Sequence, residues 1–229
     1  IDTLETSAQR AVDMVQQILS LSRRQEATMS PIDMAVSLRH VLQICMNTFD
    51  RSIEIRADIP RGPLTVMADP VILEQALLNI CVNAAHAMTN MRDKATSPGG
   101  VLTVHVEGSD LTAESLQSRP GKAPGRWWCV SIQDTGVGIP VQLQQKIFEP
   151  FFTTKPAGQG TGLGLSTTWS IIEQHDGFIQ LYSEHGKGTI FRIWLPAVSV
   201  NHTAGKTHPA PDLPAGHGLI LVVDDEDIV

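Results

Sequence analysis

Residues that would tie a chain to a metal cluster, a disulfide framework or nucleic acid are scarce in this sequence. Its three cysteines, Cys45, Cys81 and Cys129, stand far apart with no CxxC spacing. That pattern predicts buried thiols in a reducing compartment rather than disulfides or a thiolate metal site. No apolar run reaches the ~20 residues of a membrane span, and no signal peptide opens the sequence. The expected location is cytoplasmic, with the parent protein free to be membrane-tethered elsewhere. Basic residues are outnumbered, 17 Lys and Arg against 24 Asp and Glu, for a net charge of -7. Nucleic acid and anionic membranes both require concentrated positive charge, so neither is an expected partner, and any phosphate site must be local. The standard phosphate motifs are missing too. AGKT at 204–207 resembles the end of a P-loop, but Val200 stands where the first glycine is required. GxGxxG is absent, as is any segment like the catalytic loops of protein kinases.

What is present is a chain of 229 residues, 42% hydrophobic and 18% charged, enough for one full domain and pieces of others. Leu4, Ala8, Ala11, Val15, Ile18 and Ser22 recur at spacings of four and three, a helical seam suited to a partner helix or to its own domain. A second helix is predicted over 33–49. SIEIRADI and LTVMA then read as strands. Asp69 and Pro70 offer an N-cap and a first-turn proline for a long helix reaching about Asn90. VLTVHVEG and RWWCVSIQD read as strands flanking a polar insertion, SDLTAESLQSRPGKAPG, expected as a surface loop. A short helix, a Gly- and Thr-rich loop, a helix over 164–175 and two more strands, FIQLYSE and GTIFRIWLP, complete the pattern. The fold class is α/β, a two-layer sandwich of a mixed, largely antiparallel sheet with helices on one face. Pro, Gly and Ala gather without periodicity near 199–218, which predicts a linker, and LILVVDDE reads as a buried strand ending in acids.

On the long helix, Leu73, Leu77, Ile80 and Ala84 share one face, while Asn79, Asn83 and His86 form a polar stripe about 130° away. Asn lowers helix propensity, so two on one stripe call for a reason. An Asn carbonyl oxygen is a hard ligand suited to Mg²⁺ shared with nucleotide phosphates; a solvated polar face accounts for the same residues. In DTGVGIP, residues 134–140, Asp134 ends a hydrophobic strand, and Gly136 and Gly138 permit a turn that larger residues would block. A carboxylate there would accept from the exocyclic amine of adenine, although a tight turn alone also explains DxGxG. In GTGLGLS, Gly160, Gly162 and Gly164 precede a helix, so backbone N–H groups can converge on an anion.

The ordered series NICVNAAHA, DTGVGIP, FEPFFTTK, GTGLGLS and HGKGTIFRIWLP resembles the N, G1, F and G2 boxes and closing strand of bacterial sensor histidine kinases. The likeness covers about 30–197, the catalytic ATP-binding domain of the superfamily that also holds the gyrase, Hsp90 and MutL ATPases, and implies a Bergerat-type ATP-binding fold. ILSLSRRQ resembles the end of the second helix of a dimerisation and phosphoacceptor hairpin, and LILVVDDE the start of a receiver domain. The implied layout is a partial hairpin at 1–29, the ATP-binding domain at 30–197, a linker at 198–218 and a truncated receiver at 219–229, as in a hybrid kinase.

The resemblance implies ATP and Mg²⁺ as ligands, with Asn83 holding the metal and Asn79 supporting metal and phosphates. It implies that Asp134 selects adenine, with Gly136, Gly138 and Thr189 shaping its pocket. Phe148, Phe151 and Phe152 would anchor a lid, and Gly160, Thr161, Gly162, Leu163 and Gly164 would close over the phosphates. Two positions depart from the family. His86 stands where many members carry Lys and would hold phosphate less firmly, with Lys155 available to compensate, and Asn79 stands where ATPase relatives place a water-activating Glu. The implied partners are the hairpin and receiver of the parent, a homodimer through the hairpin, and a response regulator or phosphotransfer protein. None of the eight histidines has the H-E/D-x-x-[NT] setting of the phosphoacceptor, so no autophosphorylation is expected of this chain alone. An ATPase of the gyrase or Hsp90 type and a non-catalytic nucleotide sensor remain the alternatives.

Overall fold

The computed structural model describes residues 28–89, 91, 99–155 and 160–198. The helical seam at 4–22, the linker and the receiver-like strand lie outside them, as do the greater part of the hairpin at 1–29 and the lid positions 156–159. Strand β1 (Ser30–Asp33) leads into helix α1 (Met34–Thr48). β2 (Ile53–Asp58) and β3 (Thr65–Ala68) precede α2 (Pro70–Met88), and β4 (Gly100–Leu111) and β5 (Gly125–Asp134) follow it. Two 3₁₀ turns, Val141–Leu143 and Lys146–Phe148, lead to α3 (Gly164–Gln174), β6 (Phe178–Glu184) and β7 (Gly188–Pro196).

The main sheet has the order β2-β4-β5-β7-β6. Only β2 and β4 run parallel, and parallel neighbours need a crossover, which the segment containing α2 supplies. All other pairs are antiparallel. The mixed, largely antiparallel sheet is therefore as the sequence predicts. β1 was not foreseen: it pairs with β3 in a separate two-stranded sheet, its four residues being too few, with a proline among them, to show periodicity.

Helix starts follow local chemistry. Asp33 caps α1, its carboxylate accepting from the Ala35 N–H at 3.0 Å and also from the Leu64 N–H at 2.9 Å. Asp69 caps α2 by accepting from Val71 and Ile72, with Pro70 in the first turn. His175 links the two helices of the site. Buried at the end of α3, it donates from Nδ1 to the Ile171 carbonyl at 2.7 Å and accepts at Nε2 from the Asp69 N–H at 3.1 Å.

Leu73, Leu77, Ile80 and Ala84 of α2 are all buried against the sheet, together with Leu102, Val104, Val130, Ile132 and Ile193. α2 is 19 residues long and, among the described residues, the one helix long and apolar enough by composition to cross a membrane, where no apolar run was expected to reach that length. Its apolar face lies in this core and its other face carries Asn79, Asn83 and His86, which is the pattern of an internal helix. All three cysteines are free and buried, and burial pushes the Cys129 thiol above its ordinary pKa.

The polar insertion departs from expectation. β4 runs on to Leu111, and Leu116 of the insertion is buried with Trp127, Cys129, Phe178 and Trp194 on the sheet face opposite the helices. The Arg119 guanidinium lies 5.0 Å over the Phe178 ring, Trp127 Nε1 donates to the Ala123 carbonyl, and Lys122 pairs with Glu173 of α3 at 3.0 Å. One leucine among turn formers carries no periodic signal, so the sequence hides this second small core. Leu116→Ala is expected to destabilise the domain by about 2 kcal/mol or more, the usual range for a buried leucine. A shift in denaturant midpoint measures it; no shift would return the segment to a surface loop.

Candidate functional site

The DTGVGIP turn is fixed from both sides. The Val137 N–H donates to the carbonyl of Ala87 on α2 at 3.2 Å, and the Val137 carbonyl accepts from the Gly186 N–H at 2.7 Å in the β6–β7 hairpin. Gly138 has φ +66°, and a Cβ there would strike the Glu184 carbonyl oxygen; this is the position where glycine is required. Gly136 lies against α2, where a Cβ would stand 2.7 Å from the Ala87 side chain. Asp134 is 4% exposed and accepts from the Gly136 N–H at 2.7 Å. Its Cα partner across β5 and β7 is Thr189, also 4% exposed, and that of Thr189 across β6 and β7 is Ser183. Three polar residues thus form a rank at the sheet end.

At the other end of the site, the polar stripe of α2 meets Lys155. The Lys155 ammonium donates to Asn83 Oδ1 at 3.3 Å and stands 2.6 Å from His86 Nδ1. Burial, then the neighbouring ammonium, holds the His86 pKa below its ordinary value, and burial lowers that of Lys155. His86 at neutral pH is therefore an acceptor at Nδ1 and holds the lysine, whereas the sequence position alone would assign it a phosphate.

Asp134, Gly136, Gly138, Thr189, Asn83 and Lys155 line one cavity of about 700 Å³, a size suited to a small-molecule ligand. Its walls include Ile139, Leu143, Ile147, Phe152 and Phe191. Among the sequence-predicted residues, Asn79, His86, Gly160, Thr161, Gly162, Leu163 and Gly164 are outside this lining. His86, Gly160 and Gly164 border it through the lining residues Lys155, Thr153 and Asn83. Asn79 Nδ2 donates to the Gly164 carbonyl at 3.5 Å, and a Cβ on Gly164 would face the Asn79 and Asn83 side chains at 3.9 and 4.0 Å. Gly160 packs on Thr153 and Lys155, and the Thr161 hydroxyl accepts from the Leu163 N–H at 3.4 Å. Gly162, at φ +68°, lies against the Phe151 backbone.

The phenylalanines divide. Phe148 packs on Trp169 with ring centroids 4.9 Å apart and Phe152 joins the core edge, but Phe151 is 63% exposed with φ 67°. It therefore does not anchor the segment by burial. Two residues that sequence reasoning passed over hold the turn in place. Gln144 Nε2 donates to the carbonyls of Ile139 and Ser183 at 2.9 Å each, and the Ser183 hydroxyl accepts from the Ile139 N–H at 2.8 Å. Their partners are up to 44 residues away, so no local spacing points to them.

Residues 68–199 match the family model for histidine kinase-, DNA gyrase B- and HSP90-like ATPases. The chain belongs to that family. The ATPase domain is similar to the sensor kinase CckA of Brucella abortus (strain 2308), 36% identical across all of this chain and 24% of the relative. It is similar to the sensor histidine kinase ZraS of Escherichia coli (strain K12), 32% identical over 82% of this chain and 36% of that protein. The chain thus spans about a quarter to a third of these relatives. Among solved structures, ShkA, solved full-length in complex with AMPPNP, aligns with a TM-score of 0.63 and 25% identity over 86% of this chain and 38% of its own. The mycobacterial sensor histidine kinase MprB aligns with a TM-score of 0.56 and 26% identity over 74% of this chain and 98% of its own. The ATPase domain is thus of the histidine kinase type, homologous to sensor kinases.

Proposed function

We propose that this chain is the ATP-binding core of a two-component sensor histidine kinase, transferring the γ-phosphoryl of ATP to a histidine outside these 229 residues. The observation that carries this is the polarity of one cavity: a buried carboxylate beside a threonine at one end, an amide oxygen beside a lysine ammonium at the other. An adenine amine suits the first and a polyphosphate the second. Binding of AMPPNP by ShkA supports the same assignment.

Mg²⁺ fits the donors present. Asn83 Oδ1 already accepts from a cation, the Lys155 ammonium, and no group of three or more His, Cys, Asp or Glu gathers among the described residues. A site with one neutral protein oxygen suits an ion that keeps its waters and shares phosphate oxygens. Bound there, Mg²⁺ would neutralise charge developing on the phosphates. Asn83 would hold it, with Asn79 setting the adjacent Gly164 turn, and Lys155 would supply the second positive charge that His86, held neutral, does not.

Phosphoryl transfer needs positioning and charge stabilisation more than a nucleophile of the domain's own. Asn79 cannot take a proton, so no base stands where one would activate water, and transfer to a protein acceptor is favoured over hydrolysis. In the parent, the acceptor would lie on a dimerising hairpin, with a receiver, response regulator or phosphotransfer protein downstream, in the cytoplasm. The test is incubation with γ-labelled ATP. Label should stay off this chain alone and appear on an added hairpin carrying an H-E/D-x-x-[NT] histidine. Steady release of phosphate without transfer would favour an ATPase, and label on the chain itself would overturn the assignment of the acceptor.

A further inference from the structure

Ser183 makes three hydrogen bonds through one oxygen. It accepts from the Ile139 N–H at 2.8 Å, meets the Gly188 carbonyl at 3.0 Å and meets Thr189 Oγ1 at 3.0 Å. A hydroxyl has one proton and two lone pairs. The Ile139 N–H only donates and the Gly188 carbonyl only accepts, so the Ser183 proton goes to Gly188 and one lone pair to Ile139. The remaining contact requires Thr189 to donate to Ser183. Its own proton is thereby committed away from the cavity that it lines, and toward a ligand it offers lone pairs. Beside it, an ionised carboxylate at Asp134 can only accept. Gln144 fixes the geometry by donating to the carbonyls of both Ile139 and Ser183.

We propose that Ser183 is a specificity-determining residue for the purine base, acting through Thr189 by fixing the direction of its hydroxyl proton. The proposal rests on the cavity being an adenine nucleotide site. With Ser183 present, the corner accepts from a 6-amino group and repels a 6-keto oxygen. Without it, Thr189 is free to turn its proton toward the base and donate to the keto group. A buried polar group left facing a like group is the strongest discriminator available to a site of this kind.

The test is calorimetric titration of the 229-residue chain with ATP and with inosine triphosphate, both with Mg²⁺. Ser183→Ala should lower the ATP-to-ITP affinity ratio about tenfold, while Ser183→Thr, which restores the hydroxyl, keeps the wild-type ratio. Should Ser183→Ala fail to fold, Ser183→Cys preserves volume with a weaker donor and acceptor and should lower the ratio in the same direction. Equal loss of both nucleotides in the hydroxyl-free variants, with the ratio unchanged, would make Ser183 a support for the turn and overturn the proposal. Wild-type protein that binds neither nucleotide, or both equally, would remove the adenine site itself and the proposal with it.

Discussion

Asp134→Asn is expected to weaken ATP binding about a hundredfold while the domain stays folded. The amide is isosteric, so the bond from the Gly136 N–H is retained by its carbonyl oxygen. What changes is the other end of the side chain, where an acceptor becomes an N–H₂ donor that, on the proposed assignment, would face an adenine amine that is itself a donor. A hydrogen bond to a charged group is worth about 1.5–3 kcal/mol, and an unsatisfied buried donor costs about 1–3 kcal/mol more. Their sum, roughly 3 kcal/mol or above, corresponds to about two orders of magnitude in affinity. Calorimetry against Mg-ATP measures it, with far-ultraviolet circular dichroism and a thermal melt confirming the fold. Affinity within a few-fold of wild type would remove Asp134 from base recognition.

Much of this fold is legible in the sequence because its cues are local. Asp69 and Pro70 mark a helix start, the apolar stripe of α2 repeats at helical spacing, and the central strands carry continuous β-branched and aromatic runs. Asp134, Gly136 and Gly138, which line the cavity, also fall within one short motif, and the turn at Gly138 needs glycine for its own backbone. Features built from distant residues are different. The Leu116 cluster joins an insertion to β5, β6 and β7, and the Gln144–Ser183–Thr189 chain joins three separated segments. Neither leaves a periodic trace. β1 is hidden for another reason, because two-strand pairing across Ser30–Asp33 and Thr65–Ala68 needs only four residues on each side.

His86 shows how a site residue changes meaning once its neighbours are known. From its slot on α2 it reads as a weak phosphate ligand that Lys155 would need to supplement. In the folded domain the imidazole stands 2.6 Å from the lysine ammonium, and burial holds it neutral at ordinary pH. The positive charge of the site therefore arises from a segment 69 residues along the chain, and the helix residue serves as its seat.

Asn83→Ala carries the second large effect, and it should separate metal from base. In Mg²⁺ the variant is expected to bind ATP about thirtyfold or more weakly, whereas in EDTA it should match wild type within about threefold. Asn83 Oδ1 is the protein oxygen on the cavity lining that accepts from Lys155, and Mg²⁺ takes few protein ligands beside phosphate oxygens. On the proposed assignment, removing that oxygen would remove the metal's hold on the protein and leave the base contacts of Asp134 in place. Alanine is the strongest helix former and the position is only half-buried, so the scaffold should tolerate the change. Titrations with and without Mg²⁺ decide the matter. An equal loss under both conditions would mean that Asn83 positions Lys155 on the phosphates rather than the ion, and no loss under either would place the metal elsewhere.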